Sequence, residues 1–138
     1  MREIKFRGKV LFNGDHYFSG DWVIGFYVEN EKGESFIVDS EPNEFGNASF
    51  QTVQIDLQTR GEYTGLKDKT RTKEFPEGKE IYEGDILESH KDVYYCTYNN
   101  SLFGFEIITK RAMHNCKPWF SSQLSERFEV IGNIHESK

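Results

Sequence analysis

Gly61-Glu62-Tyr63-Thr64-Gly65-Leu66-Lys67-Asp68 opens, and Lys79-Glu80-Ile81-Tyr82-Glu83-Gly84-Asp85-Ile86 closes, the stretch on which the fold turns. Between them lies a polar insert, Lys69 to Gly78, which holds one of the chain's three prolines. The pattern predicts a strand end, an exposed loop, then a tight turn into a new strand. Gly65 and Gly84 are suited to turns because glycine reaches positive φ without a steric penalty. The Asp85 carboxylate is placed to accept hydrogen bonds from nearby backbone amides. These three residues are expected to be structural.

Reading upstream, Ile4-Lys5-Phe6-Arg7 alternates apolar and charged residues, as a strand with one wet face does. Asn13-Gly14 predicts a two-residue hairpin of type I′, which needs positive φ at both positions. Trp22-Val23-Ile24-Gly25-Phe26-Tyr27-Val28 is nearly continuous apolar and predicts a strand covered on both faces. Gly25 within it predicts a bulge or a close backbone approach. After a turn at Glu31-Lys32-Gly33-Glu34, Ser35 to Asp39 reads as a strand. Residues 40–51 read as a loop, with Phe45 and Phe50 pinning it to the body. Val53, Ile55 and Leu57 alternate with Gln54, Asp56 and Gln58, the pattern of a half-buried strand.

Downstream, Val93–Tyr98 and Leu102–Ile108 flank Asn99-Asn100-Ser101 as a hairpin. Phe120, Leu124 and Phe128 share one face of a short helix, with Ser121 or Ser122 as its cap. Phe128–His135 ends the chain as a strand able to close a barrel. The expected fold is mainly β. It is a small antiparallel β-barrel (SH3-like or related) with additional N-terminal β-strands and at most one short helix. Residues 1–138 are expected to form one domain, divisible into an N-terminal β part, 1–60, and a C-terminal barrel part, 61–138.

Composition agrees: 15% of the 138 residues are aromatic, with 12 Gly and 3 Pro, and aromatic side chains favour pleated, half-buried surfaces. The first residues lack an apolar run, so no secretion signal is expected, and no segment has the roughly 18 apolar residues of a membrane span. Cys96 and Cys116 are expected as thiols in a reducing cytoplasm. The net charge of −6 argues against nucleic acid, whose phosphates demand positive charge on one face. Charge is nevertheless uneven. Arg2, Lys5, Arg7 and Lys9 outnumber Glu3 near the start, whereas Glu29, Glu31, Glu34, Asp39, Glu41 and Glu44 outnumber Lys32 further on. Such asymmetry can steer a partner, or let one copy meet another head to tail.

No catalytic chemistry is legible. The four histidines show no paired spacing, and His114 and Cys116, with Cys96 in space, lack the close pairs that mark zinc sites. No phosphate-cradling glycine motif occurs. No cofactor, metal or catalytic residue is expected. The one binding constellation is the 67–79 loop, where Lys67, Lys69, Arg71 and Lys73, with Tyr63 as an exposed ring, would make a stacking and charge platform for nucleic acid. Asp68, Glu74 and Glu77 weaken its field.

Four blocks give the chain a resemblance to a known family. They are Met1-Arg2-Glu3-Ile4-Lys5-Phe6-Arg7-Gly8-Lys9, Asp21-Trp22-Val23-Ile24-Gly25-Phe26-Tyr27, the two halves of the opening stretch, and Phe128-Glu129-Val130-Ile131-Gly132-Asn133-Ile134-His135-Glu136. In this order they resemble the YopX family, small proteins of phages and prophages. The resemblance departs at Thr70 to Gly78, which lengthens a connection that is usually a short turn, and it implies a mostly β, barrel-containing domain without an established activity. The expected function is therefore that of a phage or prophage accessory protein in the bacterial cytoplasm, a non-enzymatic protein-interaction module. Its partner would be a second copy or a host or phage protein. The alternative is a nucleic-acid accessory protein using the 67–79 loop and the basic N-terminal strand.

Overall fold

The computed structural model describes residues 3–14, 17–42, 48–89, 92–99, 104–109, 116–117 and 127–136. Contacts divide the chain into two compact units, Glu3–Glu62 and Tyr63–Lys138, the latter together with Met1–Arg2. Both are antiparallel β structures. Among the described residues there is no α-helix, and the strand ladders form no closed barrel.

The N-terminal unit is built on β1 (Phe6–Lys9), β2 (Trp22–Glu29), β3 (Ser35–Pro42) and β4 (Ala48–Ile55). Their spatial order is β4-β3-β2-β1, and the first residues of β5 (Gly61–Lys67) pair beyond β1. Val23, Tyr27, Ile37, Val53 and Ile55 point inward with Val10, Phe6 and Tyr17 to make the core. The Val10–Ile55 bridge, with Leu11 N donating to Gln54 O at 3.0 Å and Asp56 N to Lys9 O at 2.9 Å, curls the continuation of β1 back onto β4. After β4 the chain makes one 3-10 turn, Leu57–Thr59, capped by Asp56 Oδ1 accepting from Gln58 N at 3.0 Å. An N-cap oxygen takes an amide that would otherwise lack a partner.

Several sequence expectations need correction here. Asn13-Gly14 is not a two-residue hairpin, because Gly14 does not adopt positive φ. Asn13 Oδ1 instead accepts from Ser19 N at 2.8 Å, and Gly14 N donates to Tyr17 O at 2.8 Å, making a longer excursion between β1 and β2. The loop expected over 40–51 is much shorter, since β3 and β4 pair as far as Pro42–Ala48. Its proline and asparagines misled because Pro42 sits at a strand end, where it is tolerated. Phe45 and the Phe50 side chain lie outside the described residues. Leu57 has left the strand and is exposed. Most consequential, β2 is covered on one face only, with Ile24, Phe26 and Val28 exposed by 44%, 58% and 46%.

In the C-terminal unit, the rest of β5 pairs with β6 (Glu80–Tyr82), with a register slip between Tyr63 and Lys67. β7 (Asp85–Ser89), β8 (Asp92–Asn99), β9 (Gly104–Thr109), β10 (Cys116–Lys117) and β11 (Glu129–Asn133) form a five-stranded sheet in the order β10-β9-β8-β7-β11. Asn99 pairs with Gly104 at the end of the β8–β9 hairpin. Ile81, Leu87, Cys96, Ile107 and Phe128 form the core, with Tyr94, Phe105 and Val130 against it. The helix expected at Phe120 and Leu124, with Ser121 or Ser122 as cap, lies outside the described residues. β11 pairs with β7 through a bulge between Val130 and Gly132.

Gly84 turns the chain from β6 into β7 with φ +94°. Its amide donates to Cys96 O at 2.9 Å and its carbonyl accepts from Ile134 N at 2.9 Å. A different constraint holds Gly25, where an added Cβ would stand 2.3 Å from the Val38 carbonyl oxygen. Gly25→Ala should therefore force β2 and β3 apart and cost about 2 kcal/mol or more, read as a lowered urea midpoint. Gly84→Val should cost about 1–3 kcal/mol through backbone strain alone. An unchanged melting temperature would reject that account of the turn.

Candidate functional site

The 67–79 segment is organised from its buried end. β5 finishes at Lys67, and Asp68 follows with 0% exposure. A carboxylate so placed must have its lone pairs met by donors. Oδ1 accepts from Lys79 N at 2.8 Å and Thr70 N at 2.9 Å. Oδ2 accepts from Val130 N at 2.8 Å and Thr70 Oγ1 at 3.1 Å. The backbone repeats the tie, with Asp68 N donating to Lys79 O and Lys69 N to Phe128 O, each at 2.9 Å. One side chain thus joins the end of β5, both ends of the insert and β11.

The insert itself is a series of turns. Thr72 N donates to Phe75 O at 3.1 Å, and Phe75 N to Thr72 Oγ1 at 3.0 Å. Arg71 Nη1 donates to Asp68 O at 2.9 Å and Thr70 O at 2.8 Å, which ties its guanidinium to loop carbonyls. Lys67 pairs with Glu77 at 3.4 Å. Lys79 Nζ donates to Val130 O at 3.3 Å and stands 5.7 Å from the Phe75 ring centre. Lys69 and Lys73 are exposed.

Tyr63 is not an exposed stacking ring. It is buried, 5% exposed, with its ring 5.4 Å from that of Tyr82. The alternation of β5 turns it inward, a direction that the surrounding polar residues concealed. Gly65 has φ +87° within the slipped part of β5, and Asp85 is buried with Oδ2 accepting from Tyr82 N at 2.7 Å. The structure brings Lys67, Lys69, Arg71 and Lys73 onto one short loop, but turns two of the four cations toward its own oxygens.

Two surfaces of the N-terminal unit escaped the sequence reading. The first is a groove of about 440 Å³ lined by Phe12, Gly14, Tyr17 and residues 51–54. Tyr17 Oη donates to Asp39 Oδ2 at 2.7 Å beside it. Its lining of amides, hydroxyls and rings offers hydrogen bonds and apolar contact, and among the described residues it holds no nucleophile and base in reach of each other. The second is the outer face of the sheet. Alternation from Val23, Gly25 and Tyr27 inside puts Trp22, Ile24, Phe26 and Val28 outside. Phe36 and Val38, which pair with Val28 and Phe26, extend that face across β3. Arg7 and Lys9, opposite Ile24 and Trp22, stand 4.9 Å and 5.5 Å from the Trp22 ring centre. Both rows of β2 are apolar, so periodicity alone could not assign one of them to solvent.

Among the described residues no group of three His, Cys, Asp or Glu side chains could hold a metal ion, and no helix is long and apolar enough to cross a membrane. Cys96 is a fully buried core side chain. His114 lies outside the described residues.

Removing the Asp68 carboxylate should strand three backbone amides. Asp68→Ala is expected to lose about 3 kcal/mol or more of stability, since each unmet buried donor costs about 1–3 kcal/mol. Asp68→Asn should recover only part of it, because its NH₂ faces donors. Chemical denaturation of both variants checks this, and a wild-type midpoint for Asp68→Ala would refute the central role of the carboxylate.

A family model described as YopX protein matches residues 5–138, so the chain belongs to the YopX family. No curated protein matches it.

Proposed function

We propose that this member of the YopX family is a non-enzymatic protein-interaction module, an accessory protein of a phage or prophage acting in the cytoplasm of the bacterial host. The observation that carries the reading is the outer face of the N-terminal sheet, where Ile24, Phe26 and Val28 stand exposed in one row. Monomeric proteins seldom leave a contiguous apolar patch uncovered, and such patches mark contact surfaces. The partner is a second copy or a host or phage protein, and the module works without a cofactor. The same reading keeps 1–60 and 61–138 as separate β parts of one functional chain. It also includes a small SH3-like barrel in 61–138, for which the antiparallel sheet β10-β9-β8-β7-β11 is the support.

A second reading, a nucleic-acid accessory role, rests on Lys69 and Lys73, which are exposed on the 67–79 loop. Two phosphate contacts give little affinity, and a salt slope of only about −1.4 to −1.8.

Affinity capture of the tagged chain from its host, with and without nuclease, separates the two. Partners retained after nuclease and lost with Phe26→Asp support the interaction module. Partners lost on nuclease treatment and weakened by Lys69→Ser with Lys73→Ser support the second reading and sink the first.

A further inference from the structure

We infer that the outer face of the N-terminal sheet is a self-association surface, on which two copies pack with their β2 strands antiparallel across a two-fold axis. This rests on the interaction-module reading and names its surface and partner. The face has a polarity. At the Trp22 end of β2 stand Arg7 and Lys9, against the indole ring. Asp21 is nearby, but its Oδ2 turns back to accept from Phe18 N at 2.9 Å. At the Val28 end comes the Asn30–Glu34 turn, with Glu31 and Glu34 against Lys32. Glu34 accepts from Asn30 Nδ2 at 2.8 Å and Gln54 Nε2 at 3.3 Å, so neutral donors meet it, whereas Glu29 falls in the Tyr27 row and accepts from Tyr27 Oη at 2.9 Å. Between the ends lie Ile24, Phe26 and Val28, with Phe36 and Val38 alongside.

A surface that is cationic at one end, apolar in the middle and anionic at the other is complementary to itself after a half-turn. The two-fold brings each basic end onto the acidic end of the other copy and buries the apolar rows against each other. Closed two-fold pairing of this kind is the commonest form of self-association. Single-stranded nucleic acid fits the face less well. The Trp22 ring is approached by two cations, aliphatic Ile24 and Val28 give bases no ring to stack on, and the acidic turn repels phosphate. The eight residues of β2 extend about 26 Å at about 3.3 Å per residue. With the flanking strands this is a small interface, near or below about 1,200 Å² in total, of the size that binds reversibly.

Sedimentation equilibrium of the full chain, from micromolar to near-millimolar concentration and at low and high salt, tests the pairing. A reversible monomer–dimer equilibrium weakened by salt is expected. Phe26→Asp should raise the dissociation constant about tenfold or more. Its melting temperature should stay at the wild-type value, since the side chain is already 58% exposed. Lys9→Glu and Glu31→Lys should each weaken the dimer, whereas mixing the two variants should restore it, because each altered end then meets its opposite charge. A wild-type monomer at all concentrations, an undiminished Phe26→Asp dimer, or a mixture no tighter than either variant alone would each overturn the inference. So would dissociation of the dimer by oligothymidylate binding at Phe26. Monomeric protein that still captures a host partner through Phe26 defeats self-pairing and leaves the interaction module standing. A dimer that captures nothing does the reverse for the host or phage partner.

Discussion

The C-terminal unit depends on one fully buried carboxylate. Asp68 takes four hydrogen bonds, three of them from backbone amides at Thr70, Lys79 and Val130. Those amides lie 2, 11 and 62 residues away along the chain. Val130 borders the bulge in the β7–β11 ladder, so Asp68 takes up a donor at a point where the ladder slips. An apolar residue could fill the space but would leave the amides unmet, and an amide side chain would set a donor against donors. The site tolerates little else.

Electrostatics on the 67–79 loop follow from the same arrangement. Asp68 fixes the loop's two ends, and Arg71 then has the Asp68 and Thr70 carbonyls within reach. Lys67 finds Glu77, and Lys79 finds the Val130 carbonyl. A count of five cations in the segment overstates its outward field, since two serve the loop's own oxygens and a third turns to β11. Just before the N-terminal strand Lys5 is likewise taken up, 3.0 Å from Glu3.

What the sequence made legible were features written in neighbouring residues. The mainly β class, the turn from β6 into β7 at Gly84 and the β8–β9 hairpin all follow from local alternation and turn chemistry. Features that depend on distant partners were not legible. Nothing beside Asp68 announces that its oxygens will meet Val130, and nothing beside Tyr63 announces Tyr82. Asn13-Gly14 has strong local turn chemistry, yet Asn13 spends its side chain on Ser19 N, so the tertiary path wins. On β2 the difficulty was of another kind. Two apolar rows give the same pattern whether the second is covered by the fold or reserved for contact.

The Asp68 collar also separates the length of the insert from the rest of the unit. Asp68 N to Lys79 O, and Asp68 Oδ1 to Lys79 N, close the loop at its base. Beyond their own turn contacts, the residues between add loop-closure entropy, which grows by about 0.6 kcal/mol for each doubling of length. Where the family resemblance leads one to expect a short turn, this chain carries Thr70 to Gly78, closed at its base by Asp68 and Lys79. The position is a natural port of entry, where segments of new length and chemistry can be tried while the Asp68–Lys79 pair holds the base of the loop.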